Sequence, residues 1–207
     1  MNEARSRGRP RSFDKDEVLQ IILEQFWIKG FTATSLDDLS NATGLSRPSL
    51  YAAFGDKNAI YKAALEVFVA EMREHTVSAL HDAHDVRAAL TGFFSGALDV
   101  YFNGRTKGLG CLVFTSAVVD APEDPQVREF LLNYLGSLDQ ALDNCLERFL
   151  PQMSEIERCR LAQIAGGVLV NLATRARIGV PRGELDDLVD ASVRLIVPTP
   201  QSQTALN

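Results

Sequence analysis

The chain has 207 residues, of which 46% are hydrophobic and 23% are charged. These values are typical of a globular protein and argue against wholesale disorder. The net charge of −6 argues against a protein that is coated by nucleic acid over its whole surface. No apolar run approaches the ~18 residues of a membrane helix, no secretory leader is visible, and three widely spaced cysteines are no disulfide framework. We therefore expect a reduced, cytoplasmic protein without a membrane segment.

The charge is unevenly distributed along the chain. Residues 1–62 carry a net charge of +1, whereas residues 63–207 carry −7. The first twelve residues hold four arginines against one glutamate: Arg5, Arg7, Arg9 and Arg11 against Glu3. Residues 1–12 are predicted to form a flexible basic arm, which either lies in a DNA minor groove or only aids solubility.

Helical periodicity dominates the sequence from residue 13 onward, without a strand pattern or an internal repeat. The first helix is predicted to begin directly after Asp14 and to end at Gly30. A short helix is predicted over residues 35–43, and Gly44 ends it. A third begins at Ser46, tolerates Pro48 in its first turn and ends near Phe54.

The pattern in the remaining chain predicts six further helices, of which the one over residues 110–121 is short and buried. They cover residues 60–80, 90–102, 110–121, 127–149, 154–178 and 185–196, with a flexible polar tail over residues 198–207. The predicted fold is all-α, with a three-helix helix-turn-helix domain over residues 13–62 and a larger helical domain over residues 63–197.

Two short helices joined by a glycine turn indicate a helix-turn-helix. The second helix would present Arg47, Ser49 and Ala53 to a DNA major groove, and its opposite side would face the core. Arginine is the commonest specific reader of guanine. Tyr51 and Lys57 are placed to meet phosphates.

Residues 26–62 resemble the DNA-binding domain of the tetracycline-repressor (TetR) family. The matching positions are Phe26, Gly30-Phe31, Thr34-Ser35, Leu50-Tyr51, Phe54 and Lys57. The resemblance implies a homodimer that binds a palindromic DNA operator, represses transcription and releases the DNA when a small molecule binds. The larger domain would then bind the ligand and form the dimer interface.

The resemblance and the residue pattern together give a set of expected site residues. The expected DNA contacts are Arg5, Arg7, Arg9, Arg11, Thr34, Ser46, Arg47, Pro48, Ser49, Tyr51, Ala53 and Lys57. Ala53 departs from the family, where a polar side chain often stands, although its methyl group can still touch thymine.

Two further sets of residues are expected in the larger domain. The ligand pocket is predicted from an aromatic helix face and its surroundings: Phe94, Tyr101, Cys111, Phe114, Val118 and Tyr134. The dimer interface is predicted on the last two helices: Gly166, Val170, Asn171, Thr174, Leu188, Val189 and Val193. Trp27 is expected in the core or between the two domains.

Cys111 supports an alternative, in which its oxidation or modification by an electrophile replaces the non-covalent ligand. It follows Gly110 at an expected helix start, with Arg105 and Lys107 nearby, and both features lower the pKa of a thiol. No cofactor or metal site is predicted. The sequence shows no nucleophile elbow, Walker loop, dinucleotide fingerprint or HExxH zinc motif, so an enzyme is not expected.

Overall fold

The computed structural model of the protein describes residues 13–197, and within this range every regular element is helical. The helices are α1 Lys15–Lys29, α2 Leu36–Thr43, α3 Arg47–Phe54, α4 Lys57–Asp82, α5 Val86–Phe102, α6 Val118–Asp120, α7 Pro125–Phe149, α8 Glu155–Arg177 and α9 Arg182–Ile196. A π-helical segment, Val113–Ala117, leads into the single turn of α6. The predicted all-α fold is confirmed.

Local capping explains why the short N-terminal helices begin and end where the sequence predicts. The Ser35 hydroxyl accepts the backbone N–H of Asp38 at 3.1 Å, and the Asp38 carboxylate accepts the N–H of Ser35 at 2.8 Å. This reciprocal capping box satisfies two N–H groups that a helix start leaves without partners. Gly44 ends α2 in the left-handed conformation, at φ +69°, which glycine adopts without the steric cost of a side chain.

Helix α4 joins the two predicted domains as one continuous element of 26 residues. The boundary expected between residues 62 and 63 therefore falls inside a helix. α4 packs against α1 at its start and against α5 further on. At Gly96 in α5 an added Cβ would lie 2.1 Å from the His75 carbonyl oxygen, so glycine permits the close approach of α4 and α5.

The core of the larger domain is built around α5, which packs against α4, α7, α8 and α9. Its buried side chains include Phe93, Phe94, Leu98 and Tyr101. Burial of large aromatic and aliphatic side chains is the main favourable contribution to such a bundle. Over residues 13–197, none of the helices is both long enough and apolar enough to cross a membrane.

Candidate nucleic-acid interface

Two buried leucines fix the α2–α3 corner against the core. Leu39 of α2 and Leu50 of α3 are both fully buried. Ser46 caps the start of α3, where its hydroxyl accepts the backbone N–H of Ser49. The buried side of α3 therefore sets the orientation of the helix. The opposite side of α3 remains exposed and can enter a DNA groove.

The solvent side of α3 carries the side chains that were predicted to meet DNA. Arg47, Pro48 and Tyr51 are exposed, and Ser49 and Ala53 are half-buried. Tyr51 keeps 49% of its surface exposed, although an aromatic ring of this size is usually covered in a folded domain. An α-helix with this polar and aromatic face fits a DNA major groove.

In the free protein the guanidinium of Arg47 is held by Asp37 of α2. Arg47 Nε donates to Asp37 Oδ1 at 2.6 Å, and Nη2 donates to Oδ2. This contact lowers the pKa of the Asp37 carboxyl. Both partners are exposed, and exposed ion pairs are weak and screened by salt. A guanine edge or a phosphate can therefore replace Asp37 as the acceptor.

Two of the residues expected to contact DNA phosphates, Thr34 and Lys57, do not have freely exposed side chains. Thr34 is fully buried, and its hydroxyl donates to the Gly30 carbonyl at 2.7 Å. Its side chain therefore ties the end of α1 to the start of α2 instead of facing solvent. Lys57 is half-buried with Nζ 4.2 Å from the centre of the Phe31 ring, and desolvation lowers its pKa.

The predicted arm contacts at Arg5, Arg7, Arg9 and Arg11 lie outside the described residues.

Trp27 lies between the two domains, as expected. It is buried, its Nε1 donates to the Gly110 carbonyl at 2.9 Å, and its ring packs edge-on against Phe68. Arg177, at the end of α8, donates to the Trp27 carbonyl at 2.6 Å and to the Ile28 carbonyl at 2.8 Å. The last turn of α1 is thus fixed to the larger domain through both its side chain and its backbone.

The expectation of a low thiol pKa at Cys111 is wrong. Cys111 is fully buried, and this burial raises its pKa to about 12. Backbone N–H groups of Val113 and Phe114 act in the lowering direction, as a helix start should, but the loss of hydration outweighs them. Of the two nearby cations, Arg105 pairs with Glu24 of α1 and Lys107 is exposed.

Most of the predicted pocket residues do not line the groove that the structure forms between α4 and α7. A groove of about 910 Å³ runs between α4 and α7. Of the six predicted residues only Tyr134 lines it; Phe94, Tyr101 and Cys111 lie in the core, Val118 is half exposed, and Phe114 packs against the Tyr134 ring. The Tyr101 hydroxyl is buried without a hydrogen-bond partner in the described part of the chain.

The dimer prediction is corrected at three of its seven positions. Gly166, Val189 and Val193 are buried within their own chain, and the Gly166 position faces Asp139 and Leu138 of α7. Val170, Asn171 and Thr174 are exposed and Leu188 is half-buried. α8 carries apolar residues on two faces, and periodicity alone does not say which face packs inside the subunit.

A short α2–α3 corner with an exposed recognition face and a buried supporting face defines a helix-turn-helix DNA-binding protein. A family model described as "Bacterial regulatory proteins, tetR family" matches residues 18–68. Among curated proteins, the HTH-type transcriptional repressor ComR of Escherichia coli K12 is 27% identical over 92% of each chain. The HTH-type transcriptional repressor BdcR of the same organism is 27% identical over 86% of each chain.

Among solved structures, a cysteine mutant of the TetR family transcriptional regulator CifR, complexed with a 26-base-pair operator DNA, superposes with a TM-score of 0.80. That chain is 28% identical, and the match covers 90% of this chain and 98% of CifR. The family match, the curated relatives and the fold agree with the geometry of α2 and α3. Together these findings support a DNA-binding transcriptional regulator of the TetR family.

Proposed function

We propose that this regulator is a repressor that binds a palindromic operator as a homodimer in the cytoplasm and releases it when a small molecule binds. The observation that carries the DNA-binding part is the exposed face of α3 in front of the buried Leu50. Two relatives are named transcriptional repressors, and CifR was solved on operator DNA. These relatives support repression, and they also support an operator as the target.

The exposed side of α8 supports the homodimer. Ile164, Val170 and Ile178 keep 58%, 39% and 73% of their surfaces exposed, and Gly167 and Thr174 lie on the same side of the helix. Residues at this spacing form one stripe along the helix, apolar except for the side chains of Asn171 and Thr174. Packing this stripe against its copy would bury it and give two α3 helices related by a twofold axis.

The groove between α4 and α7 supports the small-molecule response. It is the right size for a small organic ligand, and α4 extends from the groove into the DNA-binding domain. A ligand releases DNA only if it binds the released conformation more tightly than the DNA-bound one. A groove walled by this shared helix is suited to such a difference in affinity.

Gating by chemistry at Cys111 is the weaker alternative, because the thiol is buried and its pKa is raised. A Cys111→Ser variant separates the two mechanisms. The proposed repressor keeps its response to a ligand when Cys111 is replaced, whereas a thiol-gated protein loses its response to oxidants and electrophiles.

The experiment that tests this proposal is selection of bound DNA from a random duplex library, followed by footprinting and a mass measurement in solution. We expect a dyad-symmetric site with two protected half-sites about one helical turn, or a multiple of it, apart. The free protein should have twice the chain mass. A monomer, or a selected pool without symmetry, would contradict the homodimer on a palindrome.

A further inference from the structure

The α4–α7 groove combines an apolar floor with charge of a single sign. Met72, Phe93 and Leu169 are buried side chains that form part of the floor. The basic side chains among its lining residues are Arg73, His81 and Arg148, the other titratable groups are the Tyr134 hydroxyl and the Cys145 thiol, and no described lining residue carries a carboxylate. Residues 63–207 as a whole have a net charge of −7. The groove therefore concentrates basic groups in a domain whose overall charge is negative.

The two guanidiniums of the groove differ in what they bind. Arg148 donates to the carbonyls of Leu80 and His81, at 2.7 and 2.6 Å, and lies over the Phe149 ring. It thereby satisfies carbonyls that the end of α4 leaves without helical partners. Arg73 has neither a hydrogen bond nor an ion pair with any residue in the range 13–197, so its full set of N–H donors is available to a ligand.

The wall opposite Arg73 is polar but neutral. It presents Asn133, Ser137, Gln140 and Asn144 of α7. From Arg73 to His81 the groove follows α4 for about 12 Å along the helix axis. The site is therefore elongated, with Arg73 towards the DNA-binding domain and apolar surface along its length.

We propose that this groove binds an organic acid with an elongated apolar body, its carboxylate on Arg73 and its apolar part along Met72, Phe93 and Leu169. A guanidinium binds a carboxylate through two parallel hydrogen bonds, and the apolar floor contributes through burial of the ligand chain. The inference rests on the proposed function, because it names the ligand class of the site through which we expect DNA release.

The test uses the full-length protein and three probes that share one alkyl chain but differ in charge: decanoate, decanol and decyltrimethylammonium. Each is titrated calorimetrically below the concentration at which it forms micelles. We expect decanoate to bind most tightly and decyltrimethylammonium least. Arg73→Gln should weaken decanoate binding at least about tenfold, the loss of one charged hydrogen bond, and leave decanol binding unchanged.

The control variant is Lys107→Gln, which removes the same charge from an exposed loop position outside the groove. It should bind all three probes like the wild type. The inference is overturned if decanol binds as tightly as decanoate, if both variants weaken decanoate equally, or if no probe binds because the groove is covered by a second copy of the chain, which a mass measurement would reveal.

A DNA-release assay separates this inference from the proposed function. Binding of decanoate that depends on Arg73 but leaves the DNA complex intact would uphold the ligand class and contradict the ligand-responsive mechanism. Release of DNA by decanol, with no preference for the acid, would contradict the ligand class and support the mechanism.

Discussion

Among the contacts between the two domains, the one made by Arg177 is best suited to a quantitative stability measurement. Its guanidinium donates to the carbonyls of Trp27, Ile28 and Leu109. The first two belong to the last turn of α1, whose carbonyls lack helical partners. Arg177→Met keeps the apolar stem and removes every donor.

The expected loss follows from the number and exposure of these hydrogen bonds. A hydrogen bond from a charged group contributes roughly 1.5–3 kcal/mol. Arg177 is only half-buried, so water replaces part of what is lost, and we expect a decrease of about 2 kcal/mol in the free energy of unfolding. Hydrogen exchange of the α1 amides should also speed up, because its C-terminal turn loses its anchor.

Urea unfolding measures this loss, and Arg175→Met is the matched control. Arg175 lies two residues earlier in α8 and is exposed, and its Nε donates to Asn171 in the same helix. Its replacement should cost less than about 0.5 kcal/mol, as for most surface positions. Equal losses in the two variants would refute the assignment of Arg177 as the anchor of α1.

Three further variants or measurements test other parts of the structure. Gly110 has a φ of +68°, and Gly110→Ala would place a methyl group 2.4 Å from a carbonyl oxygen of α8. It should lower thermal stability by more than Gly104→Ala, because Gly104 has the same φ but open space around it. Equal effects of the two variants would contradict the close contact. Ser35→Ala should cost about 1 kcal/mol of unfolding free energy through loss of the capping box, and an unchanged urea midpoint would count against it. Alkylation with iodoacetamide at pH 8, mapped by mass spectrometry, should label the exposed Cys159 well before Cys111; the reverse order would show that Cys111 is accessible.

The helix-turn-helix could be predicted from the sequence because its boundaries depend on local chemistry. Ser35 and Ser46 cap helix starts, and Gly30 and Gly44 end helices. Each of these effects acts within a few residues of the chain. The boundary near residue 62 has no such local signal, and α4 passes through it.

The pocket and the interdomain contact depend on distant parts of the chain and could not be predicted in this way. Phe93 and Phe94 are adjacent, yet only Phe93 lines the groove, since one residue turns a helix by about 100°. Arg105 is near Cys111 in sequence but pairs with α1. Arg177 contacts residues about 150 positions away, and nothing in its sequence neighbourhood indicates that role.

A gel shift on the selected operator shows whether the exposed face of α3 reads DNA. Competitor DNA is present, and wild type is compared with Arg47→Ala, Tyr51→Ala and the control Lys107→Ala. We expect both α3 variants to lose about tenfold or more in affinity and to keep the wild-type circular dichroism spectrum, and the control to bind normally. Operator binding by both α3 variants as tight as that of Lys107→Ala would show that this face does not read DNA.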